Sequence, residues 1–261
     1  MEQVKTGTDK LRALLERDGQ VLRLVVDDPP GNVLAAEVLQ GISGVLEREG
    51  ERAELKAIVF EGQGKHFSFG ASVEEHQKEQ APAMIHAFHG LFKQLLALDV
   101  PCAALVRGQC LGGALELVCF CHFILAEPSA RLGLPEITLA VFPPVAAAIL
   151  PDLIGRPRAE DLILTGRSID ASVAESWGLV HRVADRAEEA LDELLEKQLL
   201  PKSAAALRFG CRAARAGWHE RLGADLDRME RLYVDELMES DDASEGIAAF
   251  LQKRSPEWKN R

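Results

Sequence analysis

The chain has no surplus of positive charge: 30 Lys and Arg against 41 Asp and Glu leave it at −11 over 261 residues. General nucleic-acid binding needs a basic surface to neutralise phosphates, so the charge argues against that class. A few local cations or a helix N-terminus can still hold an anionic ligand. No long hydrophobic run is present. Cys102 to Ala126 comes nearest, but glycines, Arg107, Glu116 and His122 interrupt it, which argues against a membrane span. No N-terminal stretch shows the basic, apolar, small-residue order of a signal peptide, so a cytoplasmic location is expected. The five cysteines are an odd set without zinc-ligand spacing, and core packing is the expectation for most of them. The seven histidines are scattered. His86 and His89 can share a helix face, but no third ligand lies nearby, so a solvated or packed pair is expected rather than a metal site. Internal repeats and low-complexity linkers are also lacking.

What is present is a 47 % apolar and 27 % charged chain, suited to a soluble globular body with a substantial core. Residues 1–17 are polar with a weak amphipathic pattern and predict a short lead-in helix. Val21–Val26 reads as a strand, ended by the turn chemistry of Asp28-Pro29-Pro30-Gly31-Asn32. Helical spacing over 35–48 follows, then a strand at Ala57–Phe60 and a loop at residues 61–65. An amphipathic helix over 83–98 is built on Met84, Phe88, Leu91, Leu95 and Leu96. Strands at Ala103–Val106 and Phe123–Ala126 flank a helix that ends near Cys121. This alternation predicts an α/β core. From residue 145 the pattern turns mostly helical, with helices expected over 157–165, 171–177, 186–197, 202–215, 219–239 and 243–253. A core over 1–198 and a helical region over 199–261 are the expected divisions.

The chemistry concentrates at three segments. Gln109-Cys110-Leu111-Gly112-Gly113-Ala114-Leu115-Glu116 joins a strand to a helix. Its glycines allow positive φ and close approach of a ligand. The helix N-terminus offers unpaired N–H groups to an oxygen that gains negative charge. Taken alone, a Gly-Gly here is equally a device for tight packing. Glu116 lies one turn into an apolar helix, where burial would raise its pKa toward the range useful for proton transfer. An ordinary first-turn glutamate complementing the dipole is the other reading. Glu136, in Leu132-Gly133-Leu134-Pro135-Glu136-Ile137, is a second carboxylate in apolar surroundings, and the two can share one water. His66-Phe67-Ser68-Phe69-Gly70-Ala71-Ser72 supplies another glycine-led turn after a strand, whose Ala71 N–H is a second candidate donor; a plain loop is the alternative.

Taken in order, these segments resemble the crotonase superfamily across nearly the whole chain. Phe67-Ser68-Phe69-Gly70-Ala71 is similar to its oxyanion turn, and Val106–Gly113 to its central Gly-Gly signature. Leu132–Ile137 is similar to its Pro-Glu segment. Leu164-Thr165-Gly166-Arg167, Trp177-Gly178-Leu179-Val180 and Asp241–Ile247 with Phe250–Arg254 match later landmarks. The resemblance implies an α/β spiral of ββα units with a C-terminal helical trimerisation region, assembled as a homotrimer or homohexamer. It implies an acyl-CoA thioester as substrate, with coenzyme A part of the substrate and no separate cofactor or metal. The backbone N–H groups of Ala71 and Gly113 would hold the thioester oxygen. Glu116 and Glu136 would carry the hydration. Ser68, Phe69, Gly70, Ser72, Val73, Gly112 and Pro144 would contact the substrate, and Lys253 would reach coenzyme A phosphates of a neighbouring subunit. Lys253 reads equally as the solvated end of a terminal helix.

Within the family, residues 66–76, Arg107–Gly113 and Gly166–Ile169 resemble the subgroup that hydrates cyclic dienoyl-CoA. One departure stands out. Where simple enoyl-CoA hydratases carry a glycine-rich loop, this chain has Phe142-Pro143-Pro144-Val145-Ala146-Ala147-Ala148. Pro144 has no N–H to donate, so a contact made there by a glycine amide would be lost and the pocket wall reshaped. The expected reaction is hydration of a conjugated enoyl-CoA, most of all a cyclic dienoyl-CoA of anaerobic aromatic breakdown. The rivals are isomerisation, thioester hydrolysis or general enoyl-CoA hydration on the same fold, and a non-catalytic CoA- or RNA-binding scaffold. Solvent oxygen in the product separates hydratase from isomerase; acyl-CoA binding without turnover would mark the scaffold.

Overall fold

The computed structural model describes residues 1–261, the side chain of His219 excepted. A seven-stranded sheet forms the spine. Its strands are β1 (Glu2–Val4), β2 (Leu11–Glu16), β3 (Val21–Val26), β4 (Ala57–Gly62), β5 (Cys102–Val106), β7 (Phe123–Ala126) and β10 (Arg182–Val183), side by side in that order. β1, β2 and β3 pair antiparallel, and every later pair is parallel. All six residues of β3 and all five of β5 are buried, as expected of parallel strands covered on both faces. The period of two divides them cleanly. Leu22, Leu24, Ile58, Phe60, Ala104 and Ile124 face the main core. Val21, Ala57, Val59, Ala103, Leu105 and Leu125 face the other side, beneath helix α7 (Ala187–Leu194).

A second sheet of three short strands, β6 (Gln109–Leu111), β8 (Arg131–Gly133) and β9 (Ser168–Asp170), runs in the order β6-β8-β9. It is extended by single bridges, Ser68 with Cys110 and Leu34 with Ala71. Each turn of the chain therefore goes from the long sheet to this second line and then into a helix. β3 passes Leu34 into α1 (Ala36–Glu49), β4 passes Ser68 and Ala71 toward α2 (Ala81–Leu98), and β5 passes β6 into α3 (Gly113–Phe120). β7 passes β8 into a 3-10 turn, Pro135–Leu139, and then α4 (Pro144–Ile154). This is the spiral of ββα units that the resemblance implies.

α5 (Arg156–Thr165) and α6 (Ala171–Ser176) follow, and a long α8 (Ala204–Arg231) then returns across the core, where Leu222 and Leu226 are buried. A π-helical turn, Leu232–Glu236, and α9 (Asp241–Leu251) close the chain. Tyr233, Met238, Ala243 and Ile247 pack there against Met84, Ile85 and Val141.

Three expectations are corrected. The lead-in segment is strand, not helix: Leu11, Ala13 and Leu15 are buried alternately, and that period of two matches the pairing edge of β3. The two helices expected over 202–215 and 219–239 are one continuous α8 running into the π turn, because isolated interior glycines such as Gly217, between the two, weaken a helix without ending it. Residues 144–154, given no helix of their own, form α4, with Pro144 at the first helical position where a missing N–H costs nothing.

Candidate active site

The two glycine-led turns are stacked on successive turns of the spiral. Gly70 has φ +97°, and a Cβ on it would lie 2.6 Å from Leu111 O and 3.3 Å from Gly113 N. Only a residue without a side chain permits that contact. Ser68 Oγ accepts from the Gly70 amide at 3.0 Å, and Leu34 N–H donates to Gly70 O at 2.9 Å. The bridge to Leu34 thus uses the Gly70 carbonyl and leaves the Ala71 N–H turned away from it. Gly113 opens α3, so its N–H has no intrahelical acceptor. A Cβ on Gly113 would stand 3.5 Å from Ala71 N. Two amides from different turns therefore lie side by side, close enough to serve one oxygen.

Glu116 and Glu136 meet at the same place. Gly112 makes this possible: with φ +56°, a Cβ there would lie 2.8 Å from Glu136 Oε1. Glu116 is 3 % exposed and Glu136 is 9 % exposed. Glu116 Oε1 accepts from the Ala146 amide at 2.8 Å, and the Val145 amide adds to it. Both belong to the first turn of α4, whose unpaired N–H groups and dipole favour a carboxylate. Burial nonetheless dominates and pushes Glu116 up to about 7. Glu136 lacks these helix donors. Burial, and then the charge of Glu116, push it well above the ordinary carboxylate range. Once Glu116 ionises the dyad therefore retains one proton, held chiefly by Glu136.

A cavity of about 20 Å³ lies between these groups, lined by Ala71, Gly113, Glu116, Glu136, Pro144 and Tyr233. That is room for about one water molecule. Phe88, Phe142, Ile85, Met84 and His76 close it on the apolar side. Met84 also lines an open groove of about 370 Å³ beside Gln80 and Ala83. His76 donates through Nδ1–H to Ser72 O at 2.7 Å, and burial lowers its pKa, which keeps it neutral. A hollow of about 620 Å³ between α1 and α2 has only exposed charged groups in Glu47, Glu51 and His86. The small cavity is where buried ionisable groups converge.

Of the residues singled out from sequence, Ala71, Gly113, Glu116, Glu136 and Pro144 share this cavity. Ser68, Gly70 and Gly112 shape its wall rather than line it. Phe69 is 43 % exposed, with its ring 5.2 Å from His66. Ser72 and Val73 lie in the segment leading to His76, and Lys253 stands exposed beyond α9. Four cysteines are buried and Cys211 is half-buried. Both His86 and His89 approach Glu230, at 3.3 and 3.2 Å, and no metal-binding cluster occurs among the described residues. Sequence reasoning missed His76 and Tyr233. A lone tyrosine late in a helical run gave no signal that it reaches a site formed near residue 116.

Adjacent amides beside a proton-sharing pair of glutamates, on a ββα spiral, define a crotonase-fold hydro-lyase of the enoyl-CoA hydratase type, acting on an acyl-CoA thioester. The chain belongs to the enoyl-CoA hydratase/isomerase family, whose model matches residues 16–261. It is 41 % identical over 255 residues to cyclohexa-1,5-dienecarbonyl-CoA hydratase of Thauera aromatica, covering 98 % of this chain and 99 % of that protein. It is 32 % identical to 2,3-dehydroadipyl-CoA hydratase of Escherichia coli K12, over 95 % of this chain and 98 % of that one. An enoyl-CoA hydratase structure from Mycobacterium avium subsp. paratuberculosis superposes with a TM-score of 0.84 at 28 % identity, covering 96 % and 99 % of the two chains. No helix among the described residues is long and apolar enough to cross a membrane.

Proposed function

We propose that this enzyme hydrates cyclohexa-1,5-diene-1-carbonyl-CoA to 6-hydroxycyclohex-1-ene-1-carbonyl-CoA, a step of anaerobic benzoyl-CoA degradation. The observation that carries the chemistry is the split proton affinity of two buried glutamates beside the Ala71 and Gly113 amides. The ring is supported by the 41 % identity to the Thauera enzyme and by Pro144 in the cavity wall.

In this reading the thioester oxygen accepts from Ala71 and Gly113. Donors of this kind are worth on the order of 3 kcal/mol each. Ionised Glu116 takes a proton from water as the water oxygen bonds to the β-carbon. Electrons move toward the thioester oxygen. In a linear enoyl-CoA the proton from Glu136 would go to the α-carbon. In the cyclic diene the product keeps a double bond conjugated to the thioester, so the proton goes to the far carbon of the diene. Glu116 and Glu136 have then exchanged roles and reset through solvent. The scheme needs no cofactor beyond the coenzyme A of the substrate.

Admitting the ring requires the cavity to widen, since roughly 150 Å³ suits a benzene-sized group. Met84, flexible and placed between cavity and groove, is suited to yield. Assembly as a trimer or a dimer of trimers, with Lys253 near a neighbour's coenzyme A, belongs to the same proposal.

The test compares the cyclic diene with crotonyl-CoA and cyclohex-1-ene-1-carbonyl-CoA. A kcat/KM at least about tenfold higher for the diene is expected, a difference of about 1.4 kcal/mol. In deuterated water the label should appear on the ring CH₂ next to the remaining double bond. Equal or faster hydration of crotonyl-CoA would overturn the ring assignment.

A further inference from the structure

Tyr233 is the chain's only tyrosine. It sits in the π-helical turn Leu232–Glu236, a distortion frequent at functional sites. Its side chain is 1 % exposed, and its ring packs 5.4 Å from that of Phe142. Among the described residues the hydroxyl has no protein partner, and neither has Glu136 Oε2. Two buried polar atoms without partners are costly for a fold to keep. Both groups line the cavity that has room for about one water. Pro144, which also lines it, has no N–H, and the Val145 and Ala146 amides already serve Glu116.

We propose that Tyr233 is a further catalytic residue, its hydroxyl donating to the water that attacks the substrate. The inference rests on the hydratase reading above. A water has two hydrogens and two lone pairs. One hydrogen faces the Glu116 carboxylate and the other faces the unprotonated oxygen of Glu136. One lone pair accepts from Tyr233, so the other is left to meet the β-carbon. As the new C–O bond forms, the water proton passes to Glu116 and the Glu136 proton passes to substrate carbon. Tyr233 keeps its own proton throughout. Burial and the two neighbouring carboxylates push its pKa up, which holds it as a donor. The tyrosine thereby fixes the direction from which water attacks, a task that a phenylalanine of the same shape could not perform.

The experiment is Tyr233→Phe, read in two ways. The kcat for hydration should fall roughly 10- to 100-fold, the range for one lost polar contact to a reacting group. KM should stay within about threefold and the melting temperature should not drop, because the variant removes an unpaired buried hydroxyl. A kcat within twofold of the parent would overturn the proposal. High-resolution crystal structures of both proteins supply the second reading. The parent should show a water bonded to Tyr233, Glu116 and Glu136, and the variant should lose or displace it. A parent cavity with no water on the Tyr233 hydroxyl would overturn the proposal by itself. Failure of the parent to hydrate any enoyl-CoA would sink the hydratase reading instead, leaving the water position to decide the role of Tyr233.

Discussion

Glu116→Gln should make the protein more stable and nearly inactive, and the size of both effects follows from where the carboxylate lies. Burial carries Glu116 from 4.5 to about 7. At about 1.4 kcal/mol for each tenfold in proton affinity, ionising it inside the fold costs about 3 kcal/mol more than in the open chain. The folded form holds its proton more tightly, so the associated stability is fully present below about pH 4.5 and is lost as pH rises through about 7. A glutamine keeps an oxygen for the Ala146 amide and never ionises. The variant should match the parent near pH 4.5 and exceed it by up to about 3 kcal/mol near pH 8. In a chain of this length that is on the order of 6 °C in melting temperature. Thermal melts of both proteins at steps between those pH values supply the comparison. Hydration should meanwhile fall at least 100-fold, as for loss of a general base. A variant with the parent's pH slope, or one less stable near pH 8, would refute the assignment of the raised pKa to burial. A variant losing less than tenfold in rate would refute its role as base.

Other outcomes follow from the same geometry. Glu136 retains its proton above the pH at which Glu116 ionises; kcat should therefore rise through about pH 7 and fall on the alkaline side, and Glu136→Gln should lose the alkaline limb together with roughly 100-fold in rate. Gly112→Ala places a Cβ 2.8 Å from Glu136 Oε1 at a left-handed φ; the rate should fall at least roughly tenfold, with 1–3 kcal/mol of stability, because the displaced carboxylate leaves the shared cavity. Arg23 lies buried on the sheet face beneath α7, paired with Glu16 at 3.1 Å, Glu61 at 2.7 Å and Glu188 at 3.0 Å. Arg23→Met should destabilise by roughly 3–5 kcal/mol in thermal or denaturant unfolding, by stranding carboxylates, while leaving kcat per folded molecule unchanged.

What could be read from the sequence was what is encoded locally. Val21–Val26 and Phe123–Ala126 are apolar runs between turn residues, and both are strands with those same bounds. Met84, Phe88, Leu91, Leu95 and Leu96 recur at helical spacing and are buried on one face of α2. Glu116 and Glu136 could be chosen because each is a carboxylate in apolar company, and Gly70 and Gly112 because both take positive φ. The second sheet was not legible, because its strands are three residues each and carry no periodicity of their own. They exist because successive turns of the spiral lay Ser68, Cys110, Leu132 and Ile169 alongside one another. That stacking, a long-range event, also brings Ala71 to Gly113.

Tyr233 follows the same logic over a greater distance. Nothing within ten residues of it distinguishes a phenol that packs from one that reaches a dyad more than ninety residues earlier. Its placement depends on α8 running unbroken through Gly217, so that Leu222 and Leu226 lock into the main core and the π turn rotates the next side chain inward. Glu136 Oε2, also without a partner among the described residues, shows the other half of that arrangement. Two buried polar atoms left open at one cavity make sense for a site whose third component is the reacting water, because a protein partner for either would close the position the water must occupy. The stability forgone by leaving them open is the counterpart of the stability lost by burying the Glu116 charge, and both should be recovered only in variants that have lost the reaction.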